Sequence, residues 1–216
     1  NVAQPVASPN TTTSYTVTVT GANGCTATDV VTVNVNKTPP TVDAGPDKNL
    51  NCSVTSATIG TAGIAGSSYS WSPALGLNAN NVAQPVASPN TTTSYTVTVT
   101  GANGCSATDV VVVNVNTTPP TVDAGPDKNL DCSVTSATIG TAGIAGNSYN
   151  WSPALGLNAN NVAQPVASPN TTTSYTVTVT GANGCNATDV VIVNVNTTPP
   201  TVDAGPDKNL DCSVTS

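Results

Sequence analysis

"SYTVTVTGANGC" (residues 14–25) runs into "TATDVVTVNVN" (26–36), and the pair returns, barely altered, at 94–116 and 174–196. Tyr15, Val17 and Val19 alternate with Thr16, Thr18 and Thr20, the period-two pattern of a strand with one buried face. Gly-Ala-Asn-Gly then signals a turn. In the second stretch the copies themselves show which face is wet. Position 26 reads Thr, Ser or Asn and position 32 reads Thr, Val or Ile, whereas Val31, Val33 and Val35 do not vary. The odd-numbered residues therefore point inward. That parity selects the turn. A two-residue Asn23-Gly24 loop sets Val17 against Val30, an inward residue against an outward one, and paired residues must share a face. A three-residue loop of Ala22, Asn23 and Gly24 sets Val17 against Asp29, with Gly24 in the left-handed region. A two-residue turn with a bulge satisfies the same parity.

Everything else recurs at the same spacing of 80 residues. Residues 1–80 align with 81–160 and differ at six positions: Thr26/Ser106, Thr32/Val112, Lys37/Thr117, Asn51/Asp131, Ser67/Asn147 and Ser70/Asn150. Residues 161–216 begin a third copy. The unit is longer than a solenoid repeat and long enough for one small β-sandwich. In "SYSW" (68–71) the variable Ser70 faces out, so Tyr69 and Trp71 face in. "ATIGTAG" (57–63) reads as a strand with Ala57 and Ile59 on one side. "TVDAGPDKNLNC" (41–52) reads as an edge strand interrupted at Gly45-Pro46, since proline is tolerated at edges. Residues 73–93, broken by Pro73, Pro85 and Pro89, read as loops and short strands. The complete domains are then 39–116 and 119–196. Residues 1–36 form the C-terminal part of a preceding repeat, and 199–216 the first strand of a following one, so the chain reads as a window on a longer array. The linkers, Lys37-Thr38 and Thr117-Thr118, are followed by Pro-Pro, which stiffens and extends them. With strands of about ten residues, roughly 33 Å long, each domain adds some 3–4 nm to a rod.

Composition excludes several functions. The chain lacks His, Arg, Glu, Phe and Met, and its net charge is −7. An acidic chain with no basic patch argues against nucleic acid and anionic membranes as partners. No apolar run approaches the ~18 residues of a membrane span. No nucleophile has a visible activating base, and no pocket-forming insertion accompanies the aspartates that glycosidase chemistry would need. The chain reads as a non-enzyme. Two cysteines per repeat, with no CxxC and no His to make a zinc site, suit an oxidising, extracellular setting.

In order and spacing, "TVDAGPDKNL-C", "SYSWSPALGL", "PVASPNTTTSYTVTVTGANGC" and "ATDVVTVNV" resemble the PKD-like, immunoglobulin-like repeats of very large secreted surface proteins of Bacteroidota-type bacteria, over the whole 80-residue unit. The resemblance implies an all-β fold of tandem immunoglobulin-like (PKD-like) β-sandwich domains, seven to eight strands each, arranged as an elongated rod. It further implies export by the type IX route and a structural role as the stalk or filament of an adhesin or appendage used in attachment, gliding or capture. The alternative is a spacer or glycan-binding module of a secreted enzyme; against glycan binding, both Trp and all five Tyr read as core residues. The polycystin-type pattern has "WDFGDG" after the Trp strand, where this chain has "WSPALG" (71–76) and no acidic cluster. Implied partners are neighbouring repeats of the same chain and, in a filament, identical chains.

On the topology this implies, Asp109 lies near the first strand, which carries Asp43 and Asp47; Asp189, Asp123 and Asp127 are the second copy. Three carboxylates can hold Ca²⁺, which takes six to eight oxygens. Equally, each can cap a turn or accept backbone N–H bonds. On the same topology the hairpin-tip cysteine and the cysteine after the first strand lie at opposite ends of a domain, roughly 30 Å apart. A disulfide needs Cα atoms within about 7 Å. Cys52 is therefore expected to bridge to Cys185 in the following domain, with in-domain pairing to Cys105 as the alternative.

Overall fold

The hairpin closes on the three-residue turn. The computed structural model describes residues 4–209. In it β1 (Thr13–Thr20) pairs antiparallel with β2 (Thr26–Val33) in the register Val17↔Asp29. The Gly21 N–H donates to the Cys25 carbonyl at 2.8 Å, and the Gly24 N–H to the Gly21 carbonyl at 2.9 Å. Gly24 has φ +76°, a region that a side chain would strain.

The chain divides into two units, Asn1–Thr117 and Thr118–Ser216. In the first, the hairpin is followed by β3 (Lys48–Asn51), β4 (Ala57–Thr58), β5 (Ser68–Ser72), β6 (Val86–Ala87), β7 (Thr93–Thr100) and β8 (Ser106–Asn116). Four strands form a sheet in the order β3-β8-β7-β5, and β4 pairs with β6 in a second, smaller sheet. The second unit repeats this with β9 (Lys128–Asp131), β10 (Ala137–Thr138), β11 (Ser148–Ser152), β12 (Val166–Ala167), β13 (Thr173–Thr180) and β14 (Asn186–Asn196). Its sheets run β11-β13-β14-β9 and β10-β12. The described residues contain no helix. Each repeat is thus an immunoglobulin-like β-sandwich.

One pairing in each large sheet is parallel. β3 lies along β8 with Lys48 opposite Val113 and Asn51 opposite Asn116, and β9 lies along β14 in the same register. The first and last strands of a domain are therefore neighbours running the same way. A chain arriving at one end of the pair leaves from the other.

The inward parity read from the repeats holds in both sandwiches. Tyr95, Val97, Val99, Val111 and Val113 are buried, while Val110 between them is 52% exposed. Trp71 is 2% exposed, and its indole N–H donates to the Val82 carbonyl at 2.9 Å, which satisfies the one polar atom it buries. Gly60, at φ +80°, sits against the Trp71 ring and the Ala83 carbonyl, so a Cβ there would collide with both.

Three expectations are corrected. The strand expected over 57–63 is two residues long: the Ile59 N–H still donates to the in-register Pro85 carbonyl, but Pro85 has no N–H to return the bond, and the Gly60 N–H turns away to Ala44. The edge strand expected over 41–52 shrinks to Lys48–Asn51, since Gly45 turns at φ +77° and Pro46 has no N–H to donate. Tyr15, expected in a core, is 39% exposed along with Val17, Val19 and Val31. Its hairpin is a two-stranded sheet with no second layer among the described residues. Of the first strand expected in 199–216, residues 199–209 are described and form no strand, and 210–216 lie outside the described residues.

Because Trp151 is the largest side chain of its core, Trp151→Ala is expected to cost about 3–5 kcal/mol of unfolding free energy. Denaturant titration of the second unit checks this; a loss below about 1 kcal/mol would mean the ring is not packed.

Candidate functional site

The polar chemistry of each sandwich lies along the seam between its first and last strands. Asp43, Asp47 and Asp109 all fall there. The Ala44 N–H donates to Asp109 Oδ2 at 2.8 Å, and the Val112 N–H to Asp47 Oδ1 at 2.8 Å, both across 65 residues of chain. The Gly45 N–H donates to Asp43 Oδ1 at 2.8 Å within its own turn. Asp189, Asp127 and Asp123 repeat the pattern on Ala124, Ile192 and Gly125. The three carboxylates are thus brought to one region, but each bonds backbone N–H groups that strand pairing leaves over. Among the described residues no group of three acids, Cys or His is spaced to hold a metal ion.

These bonds shift the carboxyls. The N–H groups of Ala44 and then Val110 hold Asp109 below the usual carboxylate range, and those of Ala124 and Val190 do the same for Asp189. The N–H groups of Val134 and Ser133 lower Asp131. In the first repeat Asn51 takes the same two bonds as a neutral amide.

The cysteines lie at the two ends of this seam. In the second unit the Cys132 thiol donates to the Thr197 carbonyl at 3.9 Å. The cysteine after the first strand therefore lies against the outgoing linker of its own domain, as the parallel pairing requires. The other cysteine ends the hairpin, where one asparagine does two jobs. Asn103 Oδ1 accepts the Cys105 N–H at 3.1 Å, and Asn103 Nδ2 donates to the carbonyls of Thr38 at 3.0 Å and Asn36 at 3.3 Å. Asn183 likewise donates to the Thr118 carbonyl at 2.9 Å. The hairpin tip thus holds the incoming linker. Cys25, Cys105 and Cys132 carry free thiols, whereas Cys52 and Cys185 each belong to a disulfide. The role of Asn103 was missed in the sequence. Its signal is a turn that keeps Asn in every copy although the turn alone tolerates other residues.

Of the aromatic rings in the two sandwiches, Trp71, Trp151, Tyr95 and Tyr175 are buried, with the Tyr95 and Tyr175 hydroxyls donating to Leu75 and Leu155, while Tyr69 and Tyr149 are half-buried, their hydroxyls accepting the Ile64 and Ile144 N–H groups. The clefts beside the two tryptophans measure about 190 and 80 Å³, below the ~300 Å³ at which ligand pockets usually begin; a larger cleft of about 520 Å³ in the second unit is lined by residues such as Leu130, Asp131, Pro169 and Asn170 and by no aromatic ring. No described helix is long and apolar enough to cross a membrane.

No family model matches the chain. Over 144 residues, 58% of this chain, it is 33% identical to the mouse Dyslexia-associated protein KIAA0319-like protein, of which it spans only 14%. Among solved structures it is similar to Drosophila OTK, extracellular domains 3-5, at 14% identity, covering 86% of this chain and 72% of that one with a TM-score of 0.40. It is also similar to the PKD domain from KIAA 1837 protein, at 23% identity over 44% of this chain and 100% of that one, TM-score 0.31. Mouse Cadherin-23 EC22-24 gives 13% identity over 86% and 74%, TM-score 0.42.

Two predictions follow from the seam carboxylates. A carboxyl whose folded pKa is depressed contributes stability above its unfolded pKa, and that stability is lost as pH falls through the folded value. The second unit is expected to hold its stability from neutral pH down to about 5 and to lose it below about 4, the ordinary range of an aspartate. Asp189→Asn should lower stability at pH 7 and flatten the acid limb; a variant with the wild-type acid limb would contradict the assignment. Because the carboxylates already serve backbone N–H groups, domain 119–196 is expected to melt at the same temperature in about 1 mM Ca²⁺ and in chelator. A rise in Ca²⁺ alone would make Asp123, Asp127 and Asp189 metal ligands.

Proposed function

We propose that this chain is a non-catalytic stretch of an extracellular rod, in which tandem immunoglobulin-like sandwiches form the stalk or filament of a bacterial surface adhesin or appendage. Near-identical domains and two-residue linkers stiffened by Pro-Pro support it. An array of this kind projects or anchors something else. Its partners are its own neighbouring repeats and, side by side, identical chains. The outer face of the four-stranded sheet favours such packing, since Ser68, Ser70, Thr96, Thr98 and Thr108 lie on it and the second unit adds a single charged side chain at its edge, Asp131.

One observation carries the reading: in both domains the hairpin tip that ends on a cysteine holds the incoming linker through its asparagine, and in the second the cysteine after the first strand lies against the outgoing one. In a tandem array the outgoing linker of one domain is the incoming linker of the next. Cys52 and Cys185 then flank Thr117-Thr118, and we read them as partners across it. The free thiol of Cys105 favours this over the in-domain pair. A disulfide at a junction also favours an oxidising compartment and restrains the linker, which is what a stalk requires.

Chymotryptic digestion of the unreduced chain tests the pairing, because cleavage after Leu, Tyr and Trp gives distinct peptides despite the repeats. Peptide 51–69 is expected linked to 176–210. Linkage of 51–69 to 96–130 would establish the in-domain pair and end the stapled-rod reading.

A further inference from the structure

Following the covalent bonds leads beyond a single staple. We infer that the oxidised array is a covalent ladder, in which tension runs along two rails made of the first and last strands of every domain and bypasses the rest of each sandwich. This rests on the junction bridge proposed above. The route from Cys52 crosses that bridge to Cys185, follows β14 to Asn196, passes the linker and continues along the chain to Cys212. The second rail enters the first domain's last strand at Cys105, follows β8 to the linker and runs through β9 to Cys132. Each domain therefore contains one rail in its first strand and the other in its last.

The fold lays these rails side by side. β3 pairs with β8 and β9 with β14, in parallel and in register from Lys48↔Val113 and Lys128↔Val193 onward. Backbone hydrogen bonds couple the rails within each domain, as do Asp109 to Ala44 and Asp47 to Val112. Residues 53–104, which carry β4 to β7 with Trp71 and Tyr95, hang between the rails as a loop tied at both ends. The same holds for 133–184.

The function this assigns is a tether of fixed length. In a longer array the shortest covalent route uses 28 residues, as in 185–212, for every two repeats. Fully stretched at about 3.4 Å per residue, that is about 48 Å per repeat. The unstapled repeat would reach about 270 Å on the same scale. A sandwich core can therefore open under load without lengthening the rod. A dithiol reductant, itself oxidised to a cyclic disulfide, returns both sulfurs to thiols and releases the stored length.

The experiment is force spectroscopy on the 216-residue chain held at its two ends, oxidised and then reduced, with the chymotryptic map made on the same oxidised sample. The oxidised chain is expected to stop at the contour of residues 1–52 and 185–216, about 29 nm, and the reduced chain at about 73 nm. A chain carrying Trp71→Ala and Trp151→Ala, its cores weakened, should keep the 29 nm limit while oxidised. An oxidised limit near 56 nm, with peptide 51–69 linked to 96–130, would overturn the pairing and the ladder together. So would about 73 nm with no bridge in the map. A limit of about 73 nm in a sample whose map shows 51–69 joined to 176–210 would overturn the ladder alone, because the bridge would then have broken during the pull, before it could carry the load past the cores.

Discussion

The parallel ladder between the first and last strands is the constraint on which the rest depends. An antiparallel pairing would return the chain to the end at which it arrived. With Asn51 opposite Asn116, the first strand ends where the domain ends. Its following cysteine is therefore delivered to the outgoing linker, and the hairpin tip is left at the incoming one. The opposite placement of the two cysteines is thus a property of strand direction, and a bridge between successive domains needs no device beyond that pairing.

A parallel edge of four residues is short, and the aspartates compensate. Where Gly45 and Pro46 break the strand, Asp109 reaches across to the Ala44 N–H and Asp47 takes the Val112 N–H. Charge-assisted bonds to backbone N–H groups are stronger than neutral ones, so the seam is held where ladder bonds run out. The same economy governs the hairpin: Asn103 caps its own turn through Oδ1 and holds the linker through Nδ2. Local turn chemistry and domain connection share one residue.

The local features were legible in the sequence. Strict alternation in 15–19, together with substitutions confined to positions 26 and 32, was enough for the hairpin register and the inward face, because side-chain parity in a strand has only two values. Trp71 announced its core, and Gly45-Pro46 announced a broken edge. What stayed hidden depends on partners far along the chain. Strand β4 ends at Thr58 because its next partner, Pro85, has no N–H to donate and the Gly60 N–H turns to Ala44, and no pattern within 57–63 encodes that. The carboxylate of Asp47 could as well have been a metal ligand until Val112, 65 residues away, was found donating to it. Tyr15 has the sequence context of Tyr95 but not its burial, since burial belongs to the layer that covers a residue.

The central claim, a covalent bridge across the linker, is tested most directly by cutting the linker itself. A protease site placed at Thr117-Thr118 separates the chain into halves carrying Cys52 and Cys185. After cleavage, denaturing electrophoresis without reductant should show a single species at the mass of the intact chain, which splits into two on reduction. Two separate halves without reductant would contradict the account.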